Sequence, residues 1–507
     1  MSHFTFNQTS HSLIRFCIYG RSRTREISQQ LFRAGLFSIL LGLFEGELRA
    51  ENDFAPRFEE IKKAATDEQL YRFLYDLPKG GDLHNHQDGA VWPEWWYRVA
   101  TDPAKTHGDT FYTRTKILDS SSKISPVMFY ITIPKWRYDR LPESAKAEYE
   151  PLATLDAATK AKWLDSLWLG DPGDGRDKFF EQIWPRILGM LYSPSVTIEL
   201  LIENMKHFGA EGVRYIETQN LVFGLGAPTT FYDKDGSPVS LDQMADLYRE
   251  RLRQSDAMAT GVTVRFQAVV LRFTPSAEQG VEDAYAFVDR HRDLWVGINM
   301  AGREDNEKGY PARFLSVYRK MMGKYPAISL SIHAGESDEP NHHVRDTLLL
   351  GAQRIGHGVN LLSDPETMLA MRADKNLVEV NLISNKLLGY VKSFEEHPFP
   401  RFLRFGIPVC LNTDDRGMWG STMTDEYFVA VKNFNLSWAE LTRLGRNSLE
   451  YSFVQPNEKQ RMIDSYTSAV QRFESRYSGD WKSVVATVNA TGSPYAAREF
   501  RIKLPLP

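Results

Sequence analysis

Cysteine is nearly missing from this chain: 507 residues hold two, Cys17 and Cys410. That excludes a disulfide framework, and with it a zinc site built on Cys-x-x-Cys pairs. Excess charge of one sign is missing as well. The 61 basic and 65 acidic residues leave a net charge of −4, so nothing marks nucleic acid as a partner. There is no internal repeat and no low-complexity tract. The apolar run near the N-terminus, Ala34–Phe44, is too short to cross a bilayer as a helix.

What remains is ordinary globular composition, 42% hydrophobic and 25% charged, ample for a large core. The first fifty residues differ in kind. They hold six arginines, three glutamates and no lysine, and Leu48-Arg49-Ala50 follows the apolar run. Positive, apolar, small is the order of a secretory signal. The expectation is a signal peptide or N-terminal extension over residues 1–50, export to the periplasm or outside the cell, and a single folded unit over 51–507.

Through that unit, short β-branched runs alternate with helical stretches. Eight stand in sequence: Asp82–His86, Val213–Thr218, Thr263–Phe273, Leu294–Ala301, Ile328–Ala334, Arg354–Val359, Leu377–Ile383 and Pro408–Thr413. Strands separated by helices imply right-handed βαβ units and a parallel sheet. Eight of them imply an α/β fold, the (β/α)8 TIM barrel. Ser193-Pro194-Ser195 is expected to supply a hydroxyl cap for a helix Val196–Phe208 that stops at Gly209, while Leu241–Arg253 and Pro311–Met322 read as amphipathic helices and Arg57–Tyr75 as one helix below the first strand. From His86 to Val213 the chain is too long for one crossover. Trp92, Trp95, Trp96, Tyr112, Tyr130, Trp136 and Tyr138 crowd its first half, and Phe179–Tyr192 reads as an apolar helix kinked at Pro185. An insertion of about residues 100–195 is therefore expected over the barrel mouth, either closing the pocket and stacking on a flat substrate or adding core.

The chemistry gathers at strand ends, where barrel enzymes place it. Asp82-Leu83-His84-Asn85-His86 puts two imidazoles on one strand face. With His333 and Asp414 they make three nitrogens and a carboxylate, a donor set suited to one catalytic zinc ion per chain that lowers the pKa of a bound water. Glu336, three residues beyond His333, is a carboxylate beside that metal, fit to hold or deliver a proton; the alternative is a partner that orients His333. His357, between Gly356 and Gly358, is assigned to assist deprotonation of the water and to stabilise the developing alkoxide; the alternative is a fourth imidazole ligand. Asp415 cannot share the direction of Asp414 on a regular strand, so it is free to bind the attacking water or a substrate ring nitrogen. His342-His343 reads as a solvent loop and Cys410 as a small buried side chain.

These motifs resemble the adenosine deaminase family among the metal-dependent amidohydrolases. Pro78-Lys79 and His84-x-His86-x-Asp88-Gly89-Ala90 look like its opening motif. His333-Ala334-Gly335-Glu336, Gly356-His357-Gly358, Ser384-Asn385 and Asp414-Asp415 match the rest, over about Pro78–Phe453. The resemblance implies zinc at His84, His86, His333 and Asp414, protonation of purine N1 by Glu336, activation of water by His357 and contact of Asp415 with N7 and the water. It implies further that the Gly302 backbone N–H meets N3 and that Asp88 contacts the ribose 5′-hydroxyl. The likeness is strongest to the secreted, growth-factor-related members. Against that subgroup, only Glu51–Leu77 precede the barrel, cysteines for its disulfide-bearing insertion are absent, Arg416 replaces a proline and Gln87 replaces an apolar residue.

The function so implied is hydrolytic deamination of adenosine or deoxyadenosine, with a small-molecule purine nucleoside as the partner. Two readings compete. One is deamination of a modified adenine nucleoside, AMP or adenine on the same barrel, with Arg303, Arg416 or Lys386 meeting a phosphate. The other is a non-catalytic purine-binding protein.

Overall fold

A computed structural model describes residues 54–118, 128–170, 173–224, 231–306 and 308–507. The chain divides into Met1–Phe54 and Ala55–Pro507. The expected leader over residues 1–50 lies outside the described residues, and the fold below is that of the second unit.

All eight expected strands are present: β1 Gly80–His86, β2 Val213–Phe223, β3 Thr263–Leu271, β4 Trp295–Ala301, β5 Ser329–Ala334, β6 Arg354–His357, β7 Leu377–Val380 and β8 Val409–Leu411. They pair in parallel in that sequential order. A parallel bridge between Asn85 and Asp414 returns the last strand to the first, where Asp414 N–H donates to the His84 carbonyl at 2.9 Å. The result is the TIM barrel with helices outside.

β7 is shorter than expected, because the N–H groups of Leu382 and Ile383 donate to the Glu426 carboxylate at 3.0 and 3.2 Å. That distant cap starts a helix, Leu382–Leu387, carrying Ser384 and Asn385. Arg57–Tyr75 is two helices, Ala55–Ala64 and Asp67–Asp76, separated where Thr66 and Gln69 form a capping box. Ser193 precedes the helix Pro194–Ala210 without capping it; its hydroxyl donates to Asp109 at 3.0 Å instead. Pro311–Met322 begins as a 3-10 turn, Pro311–Phe314, before the helix Leu315–Lys324.

The barrel interior is polar below the mouth. Arg354 lies 2.6 Å from both Glu217 and Glu379, Gln267 bonds Glu217 and Asn299 bonds Gln267, all fully buried. Removing one partner from such a buried ionic cluster costs about 3–5 kcal/mol. The cluster is the rigid base on which the site stands.

The insertion contributes a small antiparallel sheet, with Phe111–Arg114 between Thr132–Pro134 and Tyr149–Pro151. Phe179–Ile183 winds as a π-turn into the helix Trp184–Leu191. Pro185 has no N–H to give the ladder, which is the local cause of the slip.

Candidate active site

The ends of β1, β5 and β8 bring His84, His333 and Asp414 to one point, and His86 approaches the same Asp414 without joining the two other imidazoles at that spacing. His84 Nδ1 lies 2.7 Å from Glu379 Oε2, and His333 Nδ1 lies 2.8 Å from Asn299 Oδ1. Both partners are acceptors, so each Nδ1 carries the proton and each Nε2 presents a bare lone pair. The two Nε2 atoms face each other at 3.1 Å, a repulsive arrangement unless a cation lies between them. Among the described residues Asp414 Oδ1 has no hydrogen-bond partner, and it lies 3.7 Å from His84 Nε2 and 3.3 Å from His86 Nε2. Its Oδ2 accepts from the Ser384 hydroxyl at 2.6 Å. Donors each about 2.0–2.1 Å from one tetrahedral zinc ion stand about 3.3 Å apart, so the spacing of His84, His333 and Asp414 fits, as does that of His86 to Asp414. Burial disfavours charge on His86, yet Asp415 and Asp414 outweigh it and push its pKa up to about 9. The carboxylates favour a cation at this point.

A second grouping shares Asp414: the donor atoms of His84, His333, His357 and Asp414 lie within 4.8 Å of one another, as do those of His86, Asp414 and Asp415. The tautomer of His357 decides between them. Phe399 N–H donates to His397 Nδ1, leaving the proton on His397 Nε2, which donates to Asn385 Oδ1 at 3.1 Å. Asn385 Nδ2 then donates to His357 Nδ1 at 2.9 Å, as Asn381 Nδ2 does at 3.2 Å. His357 Nε2 therefore carries a hydrogen and points into the site as a donor, 3.7 Å from Glu336 Oε1. Burial holds the ring neutral, its pKa lowered to about 3. His357 and Asp414 both hold left-handed backbone, φ 63° and 52°, strain of the sort that clusters at functional sites.

Glu336 sits on the loop after β5. Glu304 accepts from the N–H groups of Gly335 and Glu336, each at 3.1 Å, and from His343 Nδ1 at 2.7 Å. Arg272 lies 3.8 Å from Glu304 and donates to the His333 carbonyl at 2.5 Å. Burial alone would raise Glu304, but His343 and Arg272 outweigh it and hold its pKa at about 2. Burial, then the charges of Asp414 and Glu304, push Glu336 well above the usual carboxylate range. The solvent-loop reading of His342-His343 thus holds for exposed His342 only; His343 is tied to the site.

The left-handed backbone at Asp414 (φ 52°) overturns the expected divergence of Asp415: the two carboxylates meet beside His86, their donor atoms within 4.8 Å of one another, and Gly89 makes room for Asp415. A Cβ on Gly89 would lie 1.5 Å from Asp415 Oδ1. Gly89→Ala must displace that carboxylate, and an ångström of misplacement costs about a hundredfold; we expect kcat/KM for the reaction this site supports to fall by that order with metal content unchanged. Gly356 serves His84 rather than His357, since its Cβ would lie 2.6 Å from His84 Cε1.

His86, Asp88, Gly302, His333, Glu336, Asp414 and Asp415 line one cavity of about 370 Å³, large enough for a small ligand. His84 and His357 lie just beneath. Phe179, Phe180, Trp184, Leu188, Leu191 and Tyr192 of the insertion form part of its wall. The aromatics expected there are elsewhere: Trp95 stacks on His207 at 3.9 Å and Tyr112 on Tyr138 at 3.8 Å. The cations considered for a phosphate are committed. Arg416 is buried, 2.7 Å from Glu211 and 3.5 Å over the Phe208 ring; Arg303 binds Asp305 and Asp177, each at 2.8 Å; Lys386 lies over Phe394. Among the described residues no lysine or arginine lines the cavity.

Several supporting residues escaped the sequence reading: Glu379, Asn299, Glu304 and His397. Glu379 in Leu377-Val378-Glu379-Val380 and Asn299 in Ile298-Asn299-Met300 interrupt apolar strands, which was a usable signal, because a buried polar group needs a partner.

A family model described as adenosine deaminase matches residues 179–469. An adenosine deaminase of Aedes albopictus is 23% identical over 493 residues, spanning 92% of this chain and 86% of the relative. Among solved structures, the N6-methyl-AMP deaminase of Arabidopsis thaliana superposes with a TM-score of 0.58 at 18% identity, covering 79% of this chain and 99% of that one. An amidohydrolase of Burkholderia ambifaria with bound zinc has a TM-score of 0.58 at 16% identity, covering 81% and 95%. The two structures agree with the barrel fold.

Proposed function

This chain belongs to the adenosine deaminase family, and we propose that it hydrolyses adenosine and 2′-deoxyadenosine to inosine or 2′-deoxyinosine and ammonia. The observation carrying this reading is the meeting of a histidine and aspartate donor set, a buried carboxyl and an imidazole whose Nδ1 accepts from Asn385 at the floor of one apolar cavity. The residues that would hold a divalent ion are His84, His86, His333 and Asp414, and their nitrogen and carboxylate donors suit zinc. When bound, the ion would acidify the hydrolytic water and polarise it for attack at purine C6.

The chain's own groups do the rest. Glu336 keeps its proton in the buried site and delivers it to N1, so C6 becomes electrophilic as water adds. His357 Nε2–H offers a hydrogen bond to the oxygen developing at C6; its fixed tautomer supports this role over that of first proton acceptor or metal ligand. Asp415 orients the water and N7 and takes the water's first proton as the C6–O bond forms. On collapse that proton passes to the 6-amino group, which leaves as ammonia as the C6–N bond breaks, and the remaining hydroxyl proton returns to Glu336. The Gly302 backbone N–H meets N3. Asp88, held by Thr197 at 3.0 Å, receives the ribose 5′-hydroxyl. The apolar walls exclude bulk water. The absence of lysine and arginine from the described lining supports a neutral nucleoside over AMP.

We infer also that the unit over 51–507 is the deaminase and that residues 1–50 export it. The test is direct. Purified protein loaded with zinc should convert adenosine with loss of absorbance at the adenosine band and stoichiometric ammonia. Turnover of AMP but not of adenosine would overturn the substrate assignment.

A further inference from the structure

Gln219 lies at the C-terminal part of β2, lines the cavity and is 2% exposed. Among the described residues neither its Oε1 nor its Nε2 has a hydrogen-bond partner. Its neighbours on that wall are engaged with one another. Gln87 Nε2 donates to the Thr197 hydroxyl and carbonyl, Gln87 Oε1 accepts from Asn220 and Tyr248, and Thr197 donates to Asp88. A buried amide with both ends open has lost its hydration without replacement, so a group to complete it is expected.

The direction of the side chain follows from the strand. Glu217, two residues earlier, binds Arg354 and Gln267 inside the barrel, so Gln219 faces the same interior one step nearer the mouth. It pairs in register with His86 on β1 and Gln267 on β3. Around the barrel, β2 lies opposite β6. The residues assigned to the reacting amidine belong to β5, β6 and β8. Asp88 follows β1, and Gly302 follows β4. A purine with N3 at Gly302 and a 5′-hydroxyl at Asp88 sets its sugar between those two, against β2.

We propose that Gln219 is a substrate-binding residue whose amide hydrogen-bonds a hydroxyl of the nucleoside's ribose. An amide both donates and accepts, as a hydroxyl does, so one side chain can serve either sense of the bond. The inference rests on the deaminase reading above, which supplies the orientation of the purine.

The test is Gln219→Leu, close in size and without polar atoms, assayed on adenosine and on its 2′-, 3′- and 5′-deoxy analogues. Loss of one buried hydrogen bond should lower kcat/KM for adenosine about tenfold, chiefly through KM. For the analogue lacking the bonded hydroxyl, parent and variant should agree within about twofold, because the partner is already gone. The free variant should melt at or above the parent's Tm, since an unpaired buried amide has been replaced by an apolar group. An equal loss on all four nucleosides would overturn the assignment, as would a lower Tm with unchanged selectivity. A parent inactive on all four defeats the deaminase reading and this inference with it; an active parent with an indiscriminate variant defeats this inference alone.

Discussion

Glu336→Gln should leave a folded, metal-loaded protein that no longer turns over adenosine. The substitution keeps shape and volume and removes only the transferable proton. The loop does not depend on that carboxyl, because the backbone N–H groups of Gly335 and Glu336 are held by Glu304. The group is 5% exposed, and burial together with Asp414 and Glu304 favours its protonated form. An ion bound at Asp414 would cancel part of that push, but burial would remain. Proton delivery by a positioned acid contributes about 10²–10⁴-fold, and kcat should fall by about three orders of magnitude while a non-reactive purine nucleoside binds within a few-fold of the parent. The parent's kcat/KM should decline on the alkaline side as Glu336 gives up its proton, and that limb should vanish in the variant. A variant within tenfold of the parent rate would refute the assignment.

The strands and the site were legible for one reason. The runs that become β1, β5, β6 and β8 end in residues of chemical character, and barrel geometry carries those ends to one face. His84, His86, His333, Glu336, His357, Asp414 and Asp415 meet there. What was not legible depends on side-chain partners far apart in sequence. Glu379 stands out as an acid inside apolar β7, but nothing local says that its partner is His84. Nothing local in Phe394–Phe399 announces that His397, through Asn385, sets the proton on His357. Arg416 looked like a free cation near the mouth, but Glu211 and Phe208, from the helix before β2 and its end, claim it. The aromatic run from Trp92 to Tyr138 suggested a stacking lid; composition alone could not tell rings that pack on each other from rings that face the cavity, and Phe179, Phe180 and Trp184 supply the wall instead. Arg57–Tyr75 was divided by Thr66, whose capping box with Gln69 is a local signal that the apolar periodicity masked.

Metal removal should have the other large effect, and His84→Ala separates its causes. In the parent, chelation should abolish turnover and lower Tm, and added zinc should restore both, because a ligand bound only by the folded state stabilises it by RT ln(1 + [L]/Kd). His84→Ala deletes one Nε2 donor and the Nδ1–H that occupies Glu379 Oε2. Glu379 keeps Arg354 at 2.6 Å and Ser331 at 2.8 Å, so the buried carboxylate is not stranded and the barrel should still fold. The variant should then melt at the same temperature with or without zinc, retain less than stoichiometric metal after dialysis and show no measurable deamination. Asp414→Asn should behave alike, since among the described residues its Oδ1 faces only the imidazoles of His84 and His86 and an amide offers no charge to hold an ion. If His84→Ala kept its ion and its rate within tenfold, the donor set would be misassigned, and the second grouping through His357 would have to hold the metal. The tautomer relay from His397 argues against that outcome, because a ring nitrogen bearing hydrogen has no lone pair to give.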